Sequence, residues 1–355
     1  MKKRLMILSA FLALMIFAGH SRAEMKSPML LVTAEYTDYE RLWQPDIVEG
    51  LKKYGVAICV CVREDQLNDK LDRLYTIYAE AGVPILFWPM LPLKDGLYLN
   101  KGTTSIYLEY LDVLFGWAES HGHRIEALVI DVEPSYIPPK PGEPPPSLLK
   151  NIIRLVKGMD DKTFQDSIPE FQKIIDKIHA HDCLAVAAVF PFVVDDRVAG
   201  DHGWEDFTGG PVATMEWDYV ALMMYSSWFV EKFKGLGIDW DAAHHLLYQY
   251  ALDAKRIWGE RAAMAVGVTN PGQGHETLLY TSAGQIAPAV AAVRAAGIEN
   301  IGIYDMKGIL DSGGLEPWLK TLSQTPPGLP PRGEEAATRF RRLARKVAKL
   351  LEALR

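Results

Sequence analysis

The stretch EALVIDVEPSY at 126–136 runs through apolar residues and then closes on Asp131-Val132-Glu133. Side chains alternate along a strand, so two carboxylates two positions apart share a face, with Cα atoms roughly 6.5–7 Å apart. Long side chains can close that gap to hydrogen-bonding range. Two acids so close do not ionise independently, and one of them holds a proton near neutral pH. A protonated carboxyl group beside a charged one can protonate a glycosidic oxygen. The competing structural reading is a pair of acids that caps the next segment or neutralises a buried arginine.

The segments around this pair indicate what must hold it. Strand-like runs rich in Val, Ile, Leu and Ala occur at 29–36, 56–62, 83–90, 127–133, 184–190, 219–225, 263–269 and 301–306. Each has the length of a strand buried on both faces. Helical patterns lie between them at 45–54, 67–81, 104–120, 165–181, 241–258 and 281–296, with a short one at 313–323. The connection between the fifth and sixth runs has no clear helix. Eight β-like runs alternating with helices predict an α/β protein of the (β/α)8 TIM barrel class. An open doubly wound sheet is the alternative, but no Gly-rich phosphate turn follows the first run. In the barrel, Val129, Asp131 and Glu133 point inward, Leu128, Ile130 and Val132 outward, and the two acids reach the C-terminal mouth. Two long connections also follow strands and are expected on that face: the proline-rich 134–164, and 191–216 with Trp204, Phe207 and Gly209-Gly210.

Two patches resemble a known family. ALVIDVEP resembles the end of the fourth-strand motif D-x-x-D-x-D-x-E of the family-eighteen, chitinase-like glycoside hydrolases. Laid on Glu126 to Glu133, the last Asp and the Glu of the motif match Asp131 and Glu133. Its first Asp falls on Glu126 and its second on Val129. WDYVALMMYSSW at 217–228 resembles the family's sixth strand, D-x-x-x-x-M-x-Y-D, through Asp218, Met223 or Met224, and Tyr225, with Ser226 in place of the final Asp. The resemblance covers the barrel, about residues 28–323. It implies a substrate-assisted retaining hydrolysis: Glu133 protonates the leaving oxygen, Asp131 orients the sugar's acetamido group, and Tyr225 hydrogen-bonds that group. A substrate without an N-acetyl group needs a conventional second carboxylate, for which Glu35 and Asp305, at the ends of the first and eighth runs, are candidates. Trp88, Trp228 and Tyr304 offer flat rings for stacking on sugar faces, and Asn270 a polar contact; for each ring, core packing competes. A non-catalytic carbohydrate-binding barrel is the alternative to the hydrolase, and Val129 is the feature that favours it.

Other chemistries fit less well. The chain has 49% hydrophobic and 23% charged residues and a net charge of -7, which argues against a nucleic-acid partner. The pairs His121/His123 and His244/His245 make neither H-E-x-x-H nor a three-ligand zinc set, so no metal or cofactor is expected. Cys59, Cys61 and Cys183 form no disulfide framework, and the first two read as buried apolar side chains on one strand face.

The ends carry separate signals. Lys2, Lys3 and Arg4, the apolar run from Leu5 to Gly19, and Ser21-Arg22-Ala23 read as a signal peptide (1–23), which predicts a secreted or periplasmic protein cleaved near Ala23. The barrel is then expected over 24–324 and a Pro/Gly linker over 325–333. At 334–355 an amphipathic helix carries seven Lys/Arg and three Glu, with Phe340, Leu343, Val347, Leu350 and Leu354 at 3-4 spacing. Packing on the outside of the barrel is one reading; a membrane-surface helix or a helix–helix contact are others.

Overall fold

The computed structural model describes residues 28–136, 148–272, 278–330 and 332–355. The predicted leader at 1–23 and residues 137–147 of the proline-rich segment lie outside these residues. Eight parallel strands close into a barrel in sequence order: β1 (Leu30–Ala34), β2 (Val56–Val62), β3 (Ile85–Pro89), β4 (Ala127–Asp131), β5 (Leu184–Val189), β6 (Tyr219–Met223), β7 (Ala262–Gly267) and β8 (Asn300–Tyr304). The expected (β/α)8 TIM barrel is the observed fold; each predicted strand run overlaps one of these strands, with β7 and β8 beginning one residue earlier, at Ala262 and Asn300.

Local chemistry sets the element ends. Pro45 opens the helix Pro45–Tyr54, where its missing N–H costs nothing, and Gly55 closes it at φ 63°. Side-chain oxygens of Asn68, Asp160 and Asp239 accept backbone N–H groups at the starts of the helices Asp69–Ala81, Asp161–Ala180 and Trp240–Trp258. The connection after β5, which has no clear helical pattern, forms two short helices, Val193–Ala199 and Gly203–Thr208.

Two apolar layers divide the side chains by strand parity. Leu128, Ile130 and Val132 pack outward against the helices. Val129 packs inward with Cys59, Cys61, Leu86, Trp88 and Met223. All three cysteines are free and buried, and burial pushes the Cys61 thiol up to about 12. Inward positions of a TIM barrel are usually filled by bulky branched side chains. Here Ala188, Ala221, Ala265 and Gly302 leave a cavity of about 80 Å³ along the axis, directly beneath Asp131.

The strands part at one seam. β3 and β4 pair only at Phe87 and Leu128. Beyond that point the chain following β3 enters, and Leu99 pairs with Val132 instead. Leu99 N–H donates to the Asp131 carbonyl and Glu133 N–H to the Leu99 carbonyl, each at 3.1 Å. The backbone of the acidic pair is thereby fixed by a loop.

The C-terminal helix Glu334–Leu354 lies on the outside of the barrel, against Val193–Ala199, Gly203–Thr208 and Trp240–Trp258. Its docked face differs from the stripe of large apolar residues seen in the sequence. Ala337, Phe340, Arg341, Ala344, Ala348 and Leu351 are buried, whereas Leu343, Leu350 and Leu354 face outward. Small residues are what permit the close approach: a Cβ on Gly203 would lie 2.7 Å from the Ala348 carbonyl.

Candidate active site

Asp131 is the last residue of β4 and is only 8% exposed. Its carboxyl pKa is held well above the usual range, first by burial, then by the charges of Glu133 and Glu35; a hydrogen bond from the Trp88 side chain pulls the other way. Desolvation alone favours the neutral form, and two nearby anions reinforce it. Burial and the two neighbouring carboxylates thus both act toward the neutral form of Asp131. Glu133 follows on the same side of the chain and is half-buried. Asn100 Nδ2 donates to its carbonyl at 3.2 Å. From the far side Gly209, at φ 132°, comes so close that a Cβ there would lie 2.9 Å from the Glu133 carbonyl carbon.

Across the mouth, Glu35 follows β1 and its side chain is 4% exposed. The Tyr304 hydroxyl donates to its Oε2 at 2.6 Å, and the Arg63 guanidinium lies 3.7 Å from its Oε1. Burial and the Glu35 charge push the Tyr304 hydroxyl far up, so it stays a donor. Tyr36 and Tyr98 are raised in the same way by burial and by the surrounding carboxylates. The mouth thus combines three carboxyl groups, one arginine and several neutral phenols. Beside it opens a groove of about 650 Å³ lined by Arg63, Glu64, Asp65, Pro92, Leu93 and Leu97.

The residues singled out in the sequence divide into two groups. Asp131, Trp88, Tyr225 and Tyr304 line the cavity together, with Val129 below them. Tyr225 and Tyr304 have ring centroids 5.7 Å apart. Trp88 is 6% exposed and edge-on to Tyr304, so it serves here as the partner of Asp131 more than as an open stacking face.

The others lie elsewhere. Asp305 is wholly buried and its carboxylate accepts N–H groups of Gly308 and Glu35, at 3.4 Å each. It caps the helix Met306–Asp311, so its carboxylate is engaged by backbone N–H groups beside Glu35. Its pKa is raised to about 6, chiefly by burial. Trp228 packs among Phe190, Phe229 and Phe233, outside the cavity lining. Asn270 is buried, and its Oδ1 accepts the Gly272 N–H at 3.1 Å, so it shapes a turn. Asp218, part of the sixth-strand pattern, sits before β6 at the opposite end of the barrel, where it accepts from His179 Nε2 at 2.7 Å and Ala185 N–H at 2.8 Å.

Sequence reasoning missed Arg63, Tyr36, Tyr98 and Asn100. Arg63 directly follows β2 and Tyr36 follows Glu35, so a scan of every strand end for polar residues would have found both. Tyr98 and Asn100 come from the loop after β3, whose return to β4 has no local signature. Among the described residues, no three His, Cys, Asp or Glu side chains converge as a metal site.

No family model matches the chain, and no curated protein matches it. Among solved structures, the glycoside hydrolase domain of PgaB (BpsB) from Bordetella bronchiseptica aligns with 84% of this chain and 99% of its own, at TM-score 0.52 and 14% identity. A GH39 β-xylosidase from Caulobacter crescentus aligns with 80% of this chain and 64% of its own, at TM-score 0.36 and 12% identity. A putative fructose-1,6-biphosphate aldolase from Coccidioides immitis covers 91% of this chain and 92% of its own, at TM-score 0.40 and 9% identity. At 14% identity the likeness to the first of these shows the TIM-barrel fold alone.

Proposed function

We propose that the protein is a glycoside hydrolase acting on a polysaccharide or glycan, with Glu133 as general acid and Asp131 as its partner. The observation that carries this reading is the pairing itself: a buried Asp131 at the mouth of a TIM barrel, its carboxyl pushed up by burial and then by the charges of Glu133 and Glu35. The pair holds one proton between two carboxyl groups. With a glycan bound, that proton resides on Glu133 and passes to the glycosidic oxygen as the bond to the anomeric carbon breaks. On an N-acetylated sugar the acetamido oxygen attacks the anomeric carbon from the opposite face, and ionised Asp131 balances the positive charge that develops. Glu133, now a carboxylate, takes a proton from the water that opens the intermediate. Tyr225, on the cavity wall, would hydrogen-bond the acetamido group. The groove beside Arg63 and Leu97 has a size suited to further sugar units. The glycoside hydrolase domain from Bordetella bronchiseptica, with a similar barrel, is consistent with this class of chemistry.

Glu35 supports a second route. Its carboxylate is held at the mouth by Tyr304 and Arg63, and it would serve as the second carboxyl group on a sugar without an N-acetyl group. A glycan screen with wild type and Glu133→Gln side by side tests the assignment. Release of reducing ends by wild type and its loss in Glu133→Gln, at unchanged melting temperature, is the expected result. Glycan binding without release by wild type would instead make the barrel a carbohydrate-binding module; unchanged turnover in Glu133→Gln would remove Glu133 from the chemistry.

A further inference from the structure

The C-terminal helix has two unlike faces. The inner face is locked to the barrel. Arg341, 4% exposed, lies 2.8 Å from Asp195 and 2.9 Å from Asp253, and its guanidinium sits 3.9 Å above the Tyr250 ring. Phe340 packs among Phe192, Phe229 and Phe233. Trp204 Nε1 donates to the Ala344 carbonyl at 3.2 Å. The helix therefore has a fixed rotation about its axis, and its outward face is preformed.

That outward face carries a row of leucines. Leu343, Leu350 and Leu354 are 43%, 59% and 51% exposed, with Val347 half-buried between them. At 100° per residue these four fall within about 60° of arc, and the row is about 16 Å long. Arg339, Arg342, Lys346 and Lys349 are exposed along one flank of the row. Arg339 pairs with Glu335. Among the described residues Arg342, Lys346 and Lys349 meet no carboxylate, in a chain whose net charge is -7. No helix among the described residues is long and apolar enough to cross a membrane.

We propose that this face docks the protein on an anionic lipid surface. The leucines enter the boundary between headgroups and acyl chains while Arg342, Lys346 and Lys349 meet the phosphates. Charge complementarity selects this occupant. A second copy of the chain would bring the same cations together, and three leucines offer far less than the roughly 800 Å² per partner of a stable dimer. A purely anionic polymer would use the cations but not the leucines.

The test is co-sedimentation of the chain from Glu24 to Arg355, which contains all of the described structure. Vesicles of equal parts phosphatidylglycerol and phosphatidylcholine are compared with phosphatidylcholine alone. Binding is expected to the anionic vesicles and to weaken with added salt. Lys346→Gln with Lys349→Gln is expected to lower the partition about 25-fold, roughly fivefold per cation. Leu350→Ser is expected to lower it about tenfold, with Leu354→Ser as the second apolar variant should the first change the melting temperature. Absence of binding to the anionic vesicles overturns the proposal. So does wild-type binding by both leucine variants, which would mean adsorption through charge alone, or a wild-type dimer in sedimentation velocity that Leu350→Ser abolishes.

Discussion

Replacing Arg341 by Met tests how the C-terminal helix is held. The substitution keeps an unbranched apolar stem and removes the guanidinium that reaches Asp195 through Nε at 3.1 Å and Nη2 at 2.8 Å. Asp195 has no exposed surface. It keeps the Tyr250 hydroxyl at 2.7 Å and Arg345 at 3.3 Å, but Arg345 is 44% exposed and shared with water. Breaking one side of a buried ion pair costs about 3–5 kcal/mol, because the remaining charge is left desolvated. With Arg345 still in place the lower end applies, about 3 kcal/mol. For a chain this large, that lowers the melting temperature by about 6 °C, at about 2 °C per kcal/mol. Urea unfolding of wild type, Arg341→Met, Asp195→Asn and the double variant closes the cycle. The double variant should be less destabilised than the sum of the singles by about 2 kcal/mol, since it removes the stranded charge together with its partner. Hydrogen exchange over 334–354 separates peeling of the helix from global unfolding. Single effects that add within about 0.5 kcal/mol would refute the idea that the pair fixes the helix.

Three further outcomes follow from the site and its supports. The pH–rate profile should move in opposite directions for two variants: Glu35→Gln removes a charge that raises Asp131, so the alkaline limb shifts to lower pH, whereas Trp88→Phe removes the donor that lowers it, so the limb shifts to higher pH. Shifts of the same sign would contradict the electrostatic account. Gly209→Ala should cut kcat by about tenfold or more in a glycan assay, because its Cβ would displace the Glu133 backbone; wild-type kcat would mean that this contact does not position the acid. Asp196 is buried, and its pKa is raised to about 8, chiefly by burial, with the Glu205 N–H and the His202 charge pulling the other way. Its folded pKa lies above the unfolded value of about 3.9, so the folded state binds the extra proton between them and stability falls as pH rises from about 4 to 8. Asp196→Asn should flatten that part of the melting temperature profile, and an unchanged slope would assign it to other groups.

The position of the acidic pair was legible because it depends on parity alone. Val129 and Asp131 turn inward and Leu128 and Ile130 outward for the same reason that the strand reads as buried on both faces. The role of Asp305 was not legible. A strand-end acid looks the same in sequence whether it faces the mouth or turns back to cap the next helix, and only the fold brings Gly308 and Glu35 N–H groups to it. Trp228 shows the same limit: its place among Phe190, Phe229 and Phe233 depends on how a helix rotates, not on its distance from a strand. In the tail, Phe340 marked the docked face but Leu343, Leu350 and Leu354 did not, since the close approach at Gly203 is made by Ala348 with Leu351.

By itself the sequence determined the alternation of strands and helices, hence the barrel, and the arrival of two carboxylates at the end of the fourth strand. These follow from periodicities of two and 3.6 residues, which are local. Tertiary structure decided that Asp131 is buried and its carboxyl pushed up, which loop clamps the pair, and which tyrosine and arginine hold Glu35. Those outcomes depend on desolvation and on neighbours far apart in the chain: Glu35 meets Tyr304 only because β1 and β8 close the barrel, and no local pattern encodes that contact.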